Sequence, residues 1–162
     1  MKNRLLFLAL SLSAILGFAQ GASAATATSQ FNVTITVQPS CDVTTTSIPD
    51  LAFGSVAAGA AATGDTTFKL QCTIGTAPVI SLTSNNGWKM KGQDSSPYDN
   101  TAATVAYGLY SDSGRTTTWN DTTTVTAADD GTEQTFHVYG SVADAGQTVG
   151  NFKDVVTVTL TY

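Results

Sequence analysis

The pattern of apolar and polar positions predicts strands along most of the chain. Residues 31–37 alternate without exception between a large apolar and a small polar side chain, and the apolar positions are Phe31, Val33, Ile35 and Val37. A strand of this pattern has one apolar and one polar face. Pro39 follows and cannot donate to a ladder, so the strand should be separate from whatever begins at Cys41. A detachable apolar strand suggests that it fills a groove, which could belong to another molecule.

Further segments with the period of a strand are separated by residues typical of turns. We predict strands at 41–43, 48–56, 66–74, 79–83, 105–110, 135–142 and 155–162. In the last of these, one side carries Val156, Val158, Leu160 and Tyr162. No stretch keeps a helical period over ten residues, so the sequence predicts an all-β domain, a small sandwich of immunoglobulin type.

The first 24 residues have the organisation of a secretion signal. Lys2 and Arg4 precede an apolar run from Leu5 to Ala19, and Ala22-Ser23-Ala24 fits the small-x-small cleavage rule. The run is short for a membrane span, which favours a cleaved signal peptide over an uncleaved anchor. We therefore expect an exported chain that begins at Ala25.

The composition of the remaining residues excludes some classes of partner. Residues 25–162 carry five basic and twelve acidic side chains, a net charge of −7, and nucleic-acid binding needs clustered Lys and Arg. We therefore expect no nucleic acid among the partners. The chain also contains 28 threonines, whose branched side chains favour pleated surfaces over helices.

The two cysteines, Cys41 and Cys72, are expected to form a disulfide. An exported chain with an even number of cysteines most simply pairs them in an oxidising compartment. The alternation around Cys72 places its side chain on the inward face. A metal-bound or reactive pair is the competing interpretation, but the spacing is wide and no histidine or second cysteine pair is near.

Enzymatic chemistry has little support in the sequence. His137 is the only histidine, and its neighbours Phe136 and Val138 would face inward, so His137 should point to solvent. Nucleophile elbows, phosphate loops and HExxH spacings are absent. The acidic stretch Asp129 to Glu133 lacks the alternating ligands of a calcium loop and fits a hairpin turn. We predict a non-enzymatic protein with no catalytic residues, metal or cofactor.

Aromatic residues allow a second functional hypothesis. Exposed rings can stack on sugars, and the candidates are Trp88, Tyr98, Tyr110 and Trp119. The protein could then be a secreted carbohydrate-binding module. Trp119 and Tyr107 could equally be core or subunit-interface residues.

Several segments, taken in order, resemble the spore coat protein U domain. They are the Cys41 strand leading to Leu51-Ala52-Phe53-Gly54, Tyr107 to Asp112, Arg115 with Trp119, Phe136 to Gly140, and Gly150 to Tyr162. The resemblance extends over essentially the whole exported chain. Phe152 stands where the family usually has Tyr, and Asn120 where Gly commonly follows Trp.

The resemblance implies a building block of archaic, Csu-type chaperone–usher pili. Such a sandwich lacks its last strand, and a periplasmic chaperone fills the groove until the N-terminal strand of the next subunit replaces it at the outer-membrane usher. Residues 25–38 would be the donor strand and 39–162 the pilin-type domain, with strand 156–162 bordering the groove. We expect a shaft subunit that polymerises with identical or related subunits on the cell surface and serves adhesion or biofilm formation. A spore or cell coat protein assembled in the same way is the alternative.

Overall fold

The computed structural model describes residues 25–93 and 100–162, so the predicted signal peptide and Tyr98 lie outside the described residues. The chain divides after Thr36 into two units. In the first unit, residues 25–36 are exposed and have no regular secondary structure. The strand predicted at 31–37 is not formed in the structure. A strand exists only with a neighbouring backbone to which it can hydrogen-bond.

The second unit, which begins at Val37, contains only strands as regular structure in its described residues, which confirms the all-β prediction. The strands are β1 (Cys41–Val43), β2 (Ala62–Cys72), β3 (Val79–Ser84), β4 (Lys89–Gln93), β5 (Thr104–Ala106), β6 (Gly108–Tyr110), β7 (Val125–Thr126), β8 (Glu133–Val142), β9 (Asn151–Lys153) and β10 (Val156–Thr161). Residues 25–93 and 100–162 contain no helix long and apolar enough to cross a membrane.

The described strands pair antiparallel in three sheets. One sheet has the order β1-β2-β8-β6, and its longest ladder joins β2 to β8 from Ala62 opposite Val142 to Gln71 opposite Glu133. A second sheet has the order β10-β3-β7, and a third the order β5-β4-β9. Residues from the first two sheets share one core, which is the arrangement of a sandwich.

Trp119 lies in the core and contacts both of these sheets. Its side chain is 1% exposed, and its ring lies 6.0 Å from the ring of Phe68 on β2. Its backbone N–H donates to the carbonyl oxygen of Leu109 on β6, and Nε1 donates to the carbonyl oxygen of Ile80 on β3 at 3.0 Å. A buried indole N–H needs such a partner.

The prediction of a strand at 48–56 is wrong, since none of these residues belongs to a strand in the structure. The apolar alternation reflects side-chain packing, because Leu51 and Phe53 are half-buried while Ala52 between them is exposed. Pro49 has no N–H to contribute to a ladder. The sequence also joined β5 and β6 into one strand, although Tyr107 separates them, and it missed β4, β7 and β9.

Candidate functional site

A large apolar groove of about 1070 Å³ opens in the second unit. One side is formed by residues 48–58, which we call the wall segment, and the other by the start of β10. The floor includes Phe68, Leu109 and Val138 from the sheet of β2, β8 and β6. Small-molecule pockets usually measure roughly 300–1,000 Å³, so this groove lies at the upper end of that range.

The wall segment is positioned by two glycines that stand opposite each other on neighbouring strands. Gly64 on β2 pairs with Gly140 on β8. A Cβ atom on Gly64 would lie 2.6 Å from the carbonyl oxygen of Ala52, and one on Gly140 would lie 2.7 Å from Cδ2 of Leu51. The missing side chains therefore provide the space in which the wall segment rests. The hydroxyl of Thr66 adds a hydrogen bond to the carbonyl oxygen of Pro49 at 2.6 Å.

The strand on the other side, β10, lies at the edge of its sheet in the described part of the chain. It pairs with β3 from Val156 opposite Ser84 to Thr161 opposite Val79. Val156, Val158 and Leu160 are half-buried, and the threonines that alternate with them are exposed. Val156 and Val158 line the groove, whereas Tyr162 is 57% exposed. An edge strand beside a groove offers backbone groups to an added strand.

Asp154 fixes the start of β10 through a polar network. Its carboxylate accepts hydrogen bonds from the Ser84 hydroxyl at 2.6 Å, the Tyr107 hydroxyl at 2.7 Å and the Asn86 amide at 2.7 Å. Its Oδ1 also accepts from the backbone N–H of Val155 at 2.8 Å. Three separate parts of the chain are thus held together at the start of β10.

The network shifts the pKa values of both acidic groups within it. Burial alone would raise the pKa of Asp154, but the hydrogen bonds from Ser84, Tyr107, Val155 and Asn86 outweigh it and lower the pKa. Burial, followed by the hydrogen bond to Asp154, raises the pKa of the Tyr107 hydroxyl. At neutral pH the carboxylate is ionised and the tyrosine is a donor, so both groups line the groove in the states that their hydrogen bond requires.

The apolar residues of the alternating segment 31–37, which we call the N-terminal segment, are exposed. Phe31 and Val33 are each 86% exposed and Ile35 is 89% exposed. Val37, the first residue of the second unit, is 75% exposed. Large apolar side chains at such exposure mark an interaction site more often than a solvent face.

The predicted disulfide is confirmed. Cys41 and Cys72 are bonded, stand opposite each other in the register of β1 and β2, and have Cα atoms 4.1 Å apart. Cys72 is 3% exposed, in agreement with its predicted inward side chain.

Of the rings considered for sugar stacking, the three that the structure describes are buried or half-buried. Trp119 is buried in the core and cannot stack on a ligand, and Trp88 is half-buried against the Tyr107 ring at 5.8 Å. Tyr110 is half-buried. His137 is exposed, as predicted, and stacks on Tyr139. No group of three or more His, Cys, Asp or Glu side chains suited to a metal occurs among residues 25–93 and 100–162.

Sequence reasoning did not identify Asp154, Gly64 or Gly140 as parts of a site. The glycines are 76 positions apart in sequence and meet only through the register of β2 and β8. Gly140 lies inside the predicted strand 135–142, where a glycine often marks close approach of another backbone, but Gly64 precedes the predicted strand 66–74 and gave no such signal.

Comparison with known proteins supports the sequence resemblance. The spore coat protein U domain family matches residues 27–159. A similar solved structure is a chain of the CsuC–CsuE chaperone–tip adhesion subunit pre-assembly complex from archaic chaperone–usher Csu pili of Acinetobacter baumannii. Sequence identity is 19% and the TM-score is 0.54, so the likeness concerns the fold. It covers 78% of this chain and 41% of that chain, and this chain therefore spans less than half of that one. No curated protein matches.

Proposed function

The chain belongs to the spore coat protein U domain family, and on that basis we propose that it is a shaft subunit of an archaic chaperone–usher pilus. Subunits polymerise by donor-strand exchange, in which residues 31–37 of one subunit occupy the groove of the next. The fibre serves adhesion or biofilm formation at the cell surface. The role is structural and not enzymatic.

The observation that carries the proposal is an apolar groove beside edge strand β10 in a chain that also has an exposed apolar segment of similar length. β10 has six residues, and the alternating segment spans 31–37. An added strand can hydrogen-bond to the free edge of β10 while every second side chain enters the groove. The apolar side chains of the donor would continue the half-buried row of Val156, Val158 and Leu160.

The energetics favour stable docking. Each apolar side chain that leaves water contributes about 1.5–3 kcal/mol, so Phe31, Val33, Ile35 and Val37 together contribute roughly 6–12 kcal/mol. Each main-chain hydrogen bond with β10 adds about 1 kcal/mol. Part of this free energy offsets the loss of freedom of a segment that is not part of a strand before docking.

A chain that carries both groove and donor makes a contact that does not close on itself. Such head-to-tail contacts generate open fibres. A tip subunit needs a groove but no donor, so the presence of both favours a shaft position.

An open groove beside an edge strand needs protection before assembly. The Csu neighbour is named for a chaperone–subunit complex, and we assign this chain the same kind of partner in the periplasm, followed by transfer at an outer-membrane usher. A coat protein assembled by the same exchange would share this route. Electron microscopy of producing cells distinguishes a fibre from a coat.

Replacement of Ile35 tests the proposal. Ile35→Asp would place an unpaired carboxylate in an apolar groove at a cost of several kcal/mol, so polymer should be lost while the chaperone complex still forms. Thr34→Asp is the matched control, because it adds the same charge on the opposite face of the segment and should polymerise. The readout is detergent-resistant polymer from cells that express each variant with chaperone and usher. Normal-length polymer from Ile35→Asp would exclude residues 31–37 as the donor.

A further inference from the structure

The disulfide lies where a fibre would pull on each subunit. Only residues 38–40 separate the apolar N-terminal segment from Cys41, the first residue of β1. On the basis of the proposed function, we infer that the Cys41–Cys72 bond transmits tension from the N-terminal segment directly to β2, so that this tension bypasses residues 42–61, which include the wall segment.

Without the bond, tension would act on a short edge strand. β1 has three residues and pairs with β2 at Cys41, Asp42 and Val43. Hydrogen bonds between Ser40 and Thr73 strengthen one end of this ladder slightly. A ladder so short at the end of a sheet is the part of the subunit that force would separate first.

The chain that follows β1 is the groove wall. The wall segment, residues 48–58, lies between β1 and the start of β2 at Ala62, and it is held by side-chain packing rather than by a strand ladder. If β1 were pulled away, the load would next reach Leu51 and Phe53 and draw them off Gly64 and Gly140. The groove that holds the neighbouring donor would then lose one side, and the fibre would open at that joint.

The disulfide carries the tension past both the β1 ladder and the wall segment. Cys72 is the last residue of β2, whose ladder with β8 runs from Ala62 to Gln71. Tension that enters at Cys41 therefore reaches the long central ladder from the Cys72 end, without passing through residues 42–61. The closed loop contains the entire wall segment, so tension that enters at Cys41 does not reach the wall along the chain while the bond is intact.

Stretching single fibres before and after reduction tests the inference. Wild-type fibres are treated with dithiothreitol, and an alkylation assay confirms two free thiols per subunit before pulling. Reduced subunits should release residues 41–61 in steps of up to about 70 Å at 3.3–3.6 Å per residue. These steps should occur at lower force than the rupture of oxidised fibres and precede the loss of subunits.

Two controls separate the disulfide from its surroundings and from the proposed function. Glu133→Ala removes the hydrogen bond from Thr44 and the ion pair with Lys69 beside β1 but leaves the bond intact. Oxidised Glu133→Ala fibres should stretch like wild type. If fully reduced fibres stretch and break like oxidised ones, the load-bearing role is excluded while the proposed function stands. If the chain forms no fibres at all, the proposed function itself fails and this inference with it.

Discussion

At the scale of single residues, Asp154 shows how a charged group can define the end of an apolar groove. Its donors come from the last residue of β3 and the β3–β4 turn, from the break between β5 and β6, and from its own neighbour Val155. Half-burial would make an unpaired carboxylate unfavourable, but here the hydrogen bonds keep it ionised. The carboxylate thus holds the first residues of β10 in place beside the groove.

We predict that Asp154→Asn lowers the free energy of unfolding of the mature chain by about 1–3 kcal/mol at pH 7, because charge-assisted hydrogen bonds are lost. The pKa of Asp154 is lowered in the folded state, so its contribution is complete above the unfolded pKa of about 3.9 and disappears as the pH falls through the folded pKa. Urea unfolding from pH 2 to pH 7 measures this. The difference between wild type and variant should shrink below pH 4, and a constant difference would contradict the ionic role.

Some residue-level features follow from the sequence and others need the fold. The inward side chain of Cys72 and the outward side chain of His137 were predicted correctly, because each depends only on the alternation within its own strand. The side-chain partners of Asp154 lie 47 to 70 positions away along the chain. No local sequence pattern predicts these hydrogen bonds, since they depend on which strands become neighbours.

At the scale of elements, β10 is expected to be the strand with which a chaperone or a donor pairs. Val158→Asp combined with Leu160→Asp would introduce two carboxylates on its half-buried apolar face, where burial disfavours an unpaired charge. We predict loss of the periplasmic chaperone complex. Co-purification of the subunit with its chaperone from periplasmic extracts measures this.

The matched control for this double variant changes the exposed face of the same strand. Thr157→Asp combined with Thr159→Asp adds the same charge at exposed positions and should leave the complex at wild-type yield. Equal yields from both double variants would show that the apolar face of β10 is not needed for chaperone binding.

The elements that the sequence predicted are those with strong alternation. Most of β2, β3, β8 and β10 follows from period-two patterns, and so does the all-β class, but residues 62–65 of β2 were not predicted as strand. β4 was missed because Lys89-Met90-Lys91-Gly92-Gln93 has little apolar character. The wall segment was predicted as a strand because Leu51 and Phe53 alternate, but side-chain burial does not supply a backbone partner.

At the scale of the whole molecule, the N-terminal segment and the groove are separate features that the proposed function brings together between subunits. The apolar residues of the segment were identified from sequence because they sit in one short run. The groove could not be foreseen in detail, since residues 48–58, β10 and several further strands from distant parts of the sequence contribute to its lining. The donor role of residues 31–37 stays a prediction.

The two features can be tested apart from the fibre by supplying the segment as a peptide. The host is the mature chain with Ile35→Asp, which should not donate to itself or to a neighbour. A peptide of residues 26–38 should stabilise this host by mass action, by about 2.7 kcal/mol at one hundred times its Kd. For a domain of this size that corresponds to a rise in Tm of roughly 5–15 °C.

Two variant peptides decide whether the apolar face of the segment is what binds. A peptide with Thr34→Asp keeps Phe31, Val33, Ile35 and Val37 and should raise the Tm like the wild-type peptide. A peptide with Ile35→Asp should leave the Tm unchanged, because its carboxylate would have to enter an apolar groove without a partner. Equal Tm shifts from both variant peptides would mean that binding does not depend on the apolar face of the segment. If the wild-type peptide caused no Tm shift, the groove would have a different occupant.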